Sequence, residues 1–292
     1  MSRDVDFSPI HVIGAAGRSG AALCRSLSAE RVSFVPVVRD AGKWLALGLG
    51  ASPLVADIDD AAALRAALRG ARRIVCCAHA SFAGAVLAAS PPDARFVFLG
   101  STRKFTRWPD AHGTGVMAAE SAFLASGRSG VMLHPTMIYG AAGEDNVQRL
   151  AALLRRLPIV PLPGGGRSVV QPIHQDDVVR SIRAALDRDW FGPKSMVIAG
   201  PEKISYATFV YAVAAAAGVR RPLVVSVPGR LLVALAPLSR RIRGLPDVSP
   251  QEVRRLLEDK AFNITEMREV LGIEPIPLAE GLTRTFAGLS LF

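Results

Sequence analysis

Short apolar runs alternate with stretches of helical periodicity across residues 1–200. Residues 11–13 run into a glycine-rich turn, and 32–38, 73–78, 95–99, 130–133 and 195–198 are further strand-like runs. Between them, 20–28 carries Leu23 and Leu27 four apart and 61–68 carries Leu64 and Leu68 four apart, which places each pair on one face of a helix. Apolar strands alternating with helices predict a parallel sheet covered on both faces, and right-handed crossovers make it doubly wound. Beyond residue 200 the pattern changes. Residues 206–217 predict an Ala-rich helix, 222–228 a short strand, 230–238 an apolar stretch and 250–257 another helix. The expected architecture is α/β: a doubly wound parallel sheet over 1–200 and a smaller substrate-side lobe over 201–292, with the loop 141–170 contributing to the lobe's side.

A chain of 292 residues, half of them hydrophobic, can bury a large core. The formal net charge of +10 changes the picture more. Only five of the 35 basic residues are lysines (Lys43, Lys104, Lys194, Lys203 and Lys260), and the excess points to an anionic partner. No recognition-helix or zinc-finger spacing accompanies the arginines, so nucleic-acid binding is not expected. The apolar stretch ending in arginines over 230–243 reads as a lobe helix, with peripheral contact to an anionic membrane as the alternative. Cys76 and Cys77, adjacent on a strand, face opposite ways, and with Cys24 they make no metal spacing, so no metal site is expected. A reducing, cytoplasmic setting is the simplest context for these thiols. The polar residues 1–6 lack the apolar core of a signal peptide, and no apolar run reaches the ~18–20 residues of a spanning helix. Nothing in the sequence sets an oligomeric state.

Gly14-Ala15-Ala16-Gly17-Arg18-Ser19-Gly20 follows a strand and opens a helix. The first glycine suits the tight turn, the second a close approach to a pyrophosphate at the helix N-terminus, and the third close helix–strand packing. This predicts a nicotinamide dinucleotide site, with Ser19 beside the glycines. The second strand closes on Val38-Arg39-Asp40. An arginine there accommodates a 2′-phosphate and an acid binds a free ribose hydroxyl. Arg18, Arg39 and Lys43 favour NADP; Asp40, one residue of register away, keeps NAD open.

With these residues in view, the chain resembles the short-chain dehydrogenase/reductase superfamily, in particular its atypical and extended, epimerase/dehydratase-like branches. The resemblance rests on the Rossmann glycine loop, Ala56-Asp57-Ile58, Cys77-Ala78-His79-Ala80, Leu99-Gly100-Ser101-Thr102, His134-Pro135-Thr136-Met137-Ile138-Tyr139-Gly140 and Gln171-Pro172-Ile173-His174-Gln175-Asp176-Asp177-Val178. It implies that Asp57 and Ile58 meet the adenine, that Ala78 and Pro135 line the cofactor, and that Ser101 or Thr102 contacts substrate. One departure is plain. The superfamily's catalytic Tyr-x-x-x-Lys pair is absent: the residues four beyond Tyr139, Tyr206 and Tyr211 are Gly143, Val210 and Ala215. His112 lies where the tyrosine is expected, and Glu120 matches a family glutamate on the same helix.

In place of the pair, the segment 101–107 leaves its strand at the sheet's carboxyl edge, where ligands of such folds bind. Lys104, Thr102 and Ser101 are the catalytic candidates: a desolvated lysine as acid or base, and hydroxyls toward a carbonyl. Arg103, Arg167 and Gln171 are the substrate-side candidates, and Arg107 is a further cation for a phosphate or carboxylate. Two readings stay open. One is an NAD(P)-dependent oxidoreductase or epimerase-like enzyme acting by hydride transfer on a carbonyl or hydroxyl of an anionic small molecule, a nucleotide sugar included. The other is a non-catalytic NADP-binding scaffold, accessory subunit or redox sensor.

Overall fold

The computed structural model describes residues 8–140, 146–235 and 250–287. Its centre is a seven-stranded sheet. The strands are β1 (Ile10–Ile13), β2 (Phe34–Val38), β3 (Leu54–Val55), β4 (Arg73–Cys76), β5 (Arg95–Leu99), β6 (Gly130–Pro135) and, later in the chain, β11 (Pro193–Ile198). Their order is β11-β6-β5-β4-β1-β2-β3 and every pair is parallel. The expected doubly wound α/β sheet is therefore the fold found. The chain winds outward one way through β1, β2 and β3 and the other way from β4, so the switch point lies beyond the carboxyl ends of β1 and β4. Ligands of open α/β sheets bind at such a crevice.

The side-chain alternation of the strands divides the core into two layers. Val75, Val97 and Val131 face one side, with Leu23 and Leu27 of α1 (Arg18–Ala29). Ile74, Cys76, Phe96, Phe98 and Met132 face the other. That second layer is covered by α3 (Ala61–Ala67), α4 (Ala83–Ala89) and α5 (Ala111–Ala125), which follow the short α2 (Ala41–Leu45). Both faces being apolar explains why the strands read as nearly continuous hydrophobic runs. Cys76 sits in one layer and Cys77 packs against the other, as their adjacency requires.

The lobe has its own core. It gathers β7 (Ile138–Tyr139), α6 (Asn146–Arg156), β8 (Ile159–Pro163), β9 (Val169–Val170) and β10 (Ile173–His174). Beyond α7 (Gln175–Leu186) it takes in β12 (Ile204–Ser205), α8 (Tyr206–Ala216), β13 (Leu223–Val227), α9 (Gly229–Leu235) and α10 (Pro250–Arg255). Tyr139, Leu154, Leu162, Phe209 and Val213 pack there with Leu278 and Leu282 of α12 (Leu278–Ala287). By contrast α11 (Thr265–Leu271) returns to the main sheet, where Met267 and Leu271 join the layer of α1 and α7. Residues 146–170, expected on the lobe's side, pack in the lobe with Tyr139, and 264–273 pack against the main sheet.

Within the segment weighed as a membrane surface, α9 packs on α10 and residues 236–243 lie outside the described residues. No helix among the described residues is long and apolar enough to cross a membrane.

Candidate active site

β1 runs directly into Gly14, whose φ of +74° suits glycine. A β-carbon on Gly14 would lie 2.9 Å from the Ala78 nitrogen, so the loop touches the backbone just beyond β4. Gly17 is the exposed N-cap of α1, which has no side-chain cap and no acidic residue in its first turn. An uncapped helix start offers backbone N–H groups and a positive dipole end to an anion. A β-carbon on Gly20 would overlap the Gly14 carbonyl oxygen, so this glycine sets the depth at which α1 packs on the loop. Arg18 is exposed on the first turn, and Ser19 Oγ faces Gln175 Oε1 at 3.5 Å. The cradle fits a diphosphate.

Arg39 follows β2 directly and is exposed, as is Lys43. Among the described residues neither is in an ion pair. Asp40 is the N-cap of α2, its carboxylate accepting from the Lys43 backbone N–H at 3.1 Å. Asp57 is exposed and turns one carboxylate oxygen to the Asp59 N–H at 3.1 Å, while Ile58 packs against the second core layer.

On the other side of the sheet's carboxyl edge lies an open cavity of about 540 Å³, walled on one side by the lobe. Ser101, Thr102 and Arg103 line it from the sheet, and Arg149, Tyr206, Arg255 and Lys260 line it from the lobe. Ser101 Oγ accepts from the Arg103 N–H at 3.2 Å, so its own O–H is left to donate. Thr102 Oγ1 instead donates to the Pro135 carbonyl at 3.2 Å, which commits its hydrogen. Arg103 binds Asp110 through Nε at 2.8 Å and Nη2 at 2.5 Å. Glu258, buried in the cavity wall, accepts from Thr106 Oγ1 at 2.9 Å and from the Arg107 N–H at 2.5 Å. Arg107 and Arg149, also in the wall, have no acidic partner among the described residues.

Lys104 is placed differently from the sequence expectation. It does not line the cavity. Its Nζ lies 2.5 and 2.6 Å from the two oxygens of Glu120, with side chains only 12% and 16% exposed. His134, fully buried, completes the cluster: Nδ1 accepts from the Ser101 N–H at 3.1 Å, so Nε2 carries the hydrogen and faces Glu120 at 3.2 Å and Ser195 Oγ at 3.0 Å. The ring lies against Gly100, where any β-carbon would collide with it. Burial opposes ionisation of Glu120, but bonds from Lys104 and Ser195 outweigh it and hold the carboxyl below its usual range. Burial, then the Lys104 charge, pull His134 down to about 4 from 6.5.

A base with a depressed folded pKa leaves the unfolded chain holding more protons between these two values, so stability falls as pH drops from about 6.5 to 4. The His134 contribution amounts to about 3 kcal/mol at the lower end. Urea unfolding at pH 7 and pH 4.5 is expected to show this loss, and His134→Gln to flatten it. An unchanged slope in the variant would refute the assignment.

Of the other substrate-side candidates, Arg167 is exposed in the loop after Gly166 and does not line the cavity. Gln171 is buried, with Nε2 donating to Gly200 O at 2.7 Å and Oε1 accepting from the Phe262 N–H at 2.8 Å, so its amide ties loops together. Arg149, Arg255 and Lys260 take those places, and no local spacing in the sequence marks them. His112, at the position where the family tyrosine is expected, meets His79, Nε2 of His79 to Nδ1 of His112 at 2.9 Å, a contact that no local spacing in the sequence marks. No group of three or more His, Cys, Asp or Glu able to hold a metal occurs among the described residues.

No protein-family model matches the sequence, and no curated protein matches it either. Solved structures do match in fold. An NADPH-dependent quinone oxidoreductase of Escherichia coli, solved with NADPH, aligns at a TM-score of 0.73 and 18% identity over 95% of this chain and 99% of its own. UDP-glucose 4-epimerase of Thermotoga maritima, solved with UDP-glucose, aligns at 0.71 and 16% over 98% and 100%. UDP-glucuronic acid 4-epimerase of Bacillus cereus, solved with its namesake ligand and NAD, aligns at 0.72 and 15% over 97% and 99%. The sheet and lobe together thus share the whole architecture of these reductase and epimerase structures, the Rossmann-type fold that the sequence resemblance implied.

Proposed function

We propose that the protein is an NADP-preferring oxidoreductase or epimerase-like enzyme that moves a hydride to or from a carbonyl or hydroxyl carbon of an anionic small molecule. The observation that carries this reading is the uncapped glycine cradle at the switch point, with Arg39 and Lys43 unengaged beside it and the cationic cavity across the sheet edge. Gly14, Gly17 and Gly20 would admit the diphosphate, and Arg39 and Lys43 a 2′-phosphate. Asp40, occupied as a helix cap, favours NADP over NAD. When bound, the nicotinamide supplies or accepts the hydride. The chain's own work is placement: Ser101 offers its hydroxyl to the reacting oxygen, and Arg149 and Arg107 offer charge-assisted bonds to a phosphate or carboxylate. The nucleotide-sugar ligands of two structural neighbours support that substrate class.

The second reading, a dinucleotide-binding scaffold without turnover, is favoured by one observation. Lys104 and the Thr102 hydroxyl, both candidate proton donors, are committed to Glu120 and to Pro135.

Titration of NADPH and NADH against the parent and Arg39→Ala tests the cofactor reading. A charge-assisted contact to phosphate contributes roughly 1.5–3 kcal/mol. Arg39→Ala is therefore expected to weaken NADPH by at least about tenfold and leave NADH unchanged. Equal affinities of the parent for the two cofactors would sink the NADP preference.

A further inference from the structure

We propose that Ser81, His79 and His112 form a proton relay that serves this site as its acid and base, an inference that rests on the hydride-transfer reading above. The hydrogen bonds fix the direction of the chain. His79 Nδ1 accepts from the Ser81 backbone N–H at 3.2 Å and lies 2.7 Å from Ser81 Oγ, so the His79 hydrogen is on Nε2. Nε2 points at His112 Nδ1 over 2.9 Å, so His112 in turn carries its hydrogen on Nε2. That last N–H has no partner among the described residues, and His112 is half-buried.

The pair stands between the glycine loop and the cavity-lining turn, with neither ring in the cavity wall itself. His79 is the residue after Ala78, against which the Gly14 loop packs. His112 is in the first turn of α5, and a β-carbon on Gly113 would lie 2.8 Å from the Arg103 carbonyl oxygen. Gly115 faces His79, where a β-carbon would lie 3.4 Å from the ring. Two glycines in one helix cost roughly 1 kcal/mol each against alanine. At Gly113 the missing β-carbon lets α5 approach the cavity-lining turn, while at Gly115 the His79 ring lies at ordinary contact distance. The charged and titratable groups around His112 are His79, Arg103, Asp110 and Arg255, and Arg103 and Arg255 both line the cavity. Burial first, then His79 and Arg103, hold His112 below 6.5, against the opposing Asp110, so the imidazole is neutral at pH 7.

In the reducing direction a bound reduced nicotinamide would supply the hydride for the carbonyl carbon, the C=O π pair moving to oxygen. The His112 Nε2 proton passes to that oxygen. The His79 Nε2 proton moves to His112 Nδ1, the Ser81 hydroxyl proton moves to His79 Nδ1, and exposed Ser81 is reprotonated from water. The oxidising direction runs every transfer backwards. His112 touches substrate in this scheme; His79 and Ser81 are positioning residues.

The test uses the full-length protein with 15N-labelled histidine, read by NMR without cofactor, alongside NADPH binding and NADPH consumption with a simple quinone and an aldehyde as probes. The expected spectrum shows both imidazoles as Nε2–H tautomers, and His79→Phe is expected to raise the His112 midpoint. His112→Gln is expected to lower kcat by about 100-fold or more with NADPH affinity unchanged. His79→Phe is expected to lower it by a smaller factor and move the pH profile with the His112 midpoint. An Nδ1–H tautomer at His112, or a parental rate in His112→Gln, would overturn the relay. A parent that fails to bind NADPH overturns the hydride-transfer reading instead, a failure read from a different signal.

Discussion

Gly17→Val is expected to abolish dinucleotide binding in a protein that still folds, whereas Gly20→Ala is expected to destabilise the fold itself. The two glycines are three residues apart, yet their surroundings differ. Gly17 is exposed with extended backbone, φ −78° and ψ 170°, and a β-carbon there meets only the Gly14 carbonyl oxygen, at 3.1 Å. A shift of a few tenths of an ångström admits a valine, whose branches then stand over the first turn of α1 where a diphosphate must approach. At Gly20 the added carbon would overlap the Gly14 carbonyl oxygen and come within 2.9 Å of Ala15 Cα. Both are backbone atoms, so α1 must lift from β1 and open the layer holding Leu23 and Leu27. Overpacking of this kind costs roughly 1–3 kcal/mol or more, a large part of a domain's total of about 5–15. Circular dichroism melts with calorimetric titration separate the two effects. A folded Gly17→Val protein that binds NADPH like the parent would reduce the loop to an ordinary turn.

Lys104→Met is expected to act on stability rather than selectively on chemistry. The lysine and Glu120 are both largely shielded from water, and Glu120 also receives the Ser195 hydroxyl. Removing one partner of a buried pair strands the other charge, at a cost of roughly 3–5 kcal/mol. Lys104→Met combined with Glu120→Leu is expected to recover much of that loss, because the double variant leaves no orphaned charge. Urea unfolding of the two single variants and the double variant checks this. A Lys104→Met protein as stable as the parent but inactive would place the lysine on the substrate after all.

The glycine loop and the six long strands of the sheet were legible because their signals are local. A parallel strand buried on both faces is apolar at every position, and three glycines at fixed spacing act within one turn. Helix α5 was harder to read. Its buried positions, Gly113, Val116, Ala119 and Phe123, follow a helical period, but half are small and the exposed side carries Met117 and Leu124, so the contrast between faces is weak. The cavity's lobe-side cations come from α6, α10 and Lys260, more than 40 residues from the Ser101 turn and brought to it only by the lobe's packing. Gln171, a polar residue in an apolar run, reads as a substrate-side group, whereas its amide bridges Gly200 and Phe262. Lys104 carried the same ambiguity, since a lysine between arginines reads as a reactive group until a glutamate 16 residues away is seen to hold it.

The packing of α12 into the lobe also bears on biosynthesis. The sheet is complete once β11 has left the ribosome, and the glycine cradle can form then. The lobe core cannot, because Tyr139 and Phe209 wait for Leu278 and Leu282, a separation of well over a hundred residues for Tyr139. Contacts so distant in sequence form late, after the entropy of closing a long loop has been overcome. During synthesis the nucleotide half therefore precedes the cavity, and the apolar faces of α6 and α8 stay uncovered for as long as it takes to make some 70 further residues after Phe209, at about 5–20 residues per second. For those seconds the nascent chain presents apolar surface on the lobe, beside the one sheet layer that still awaits α11.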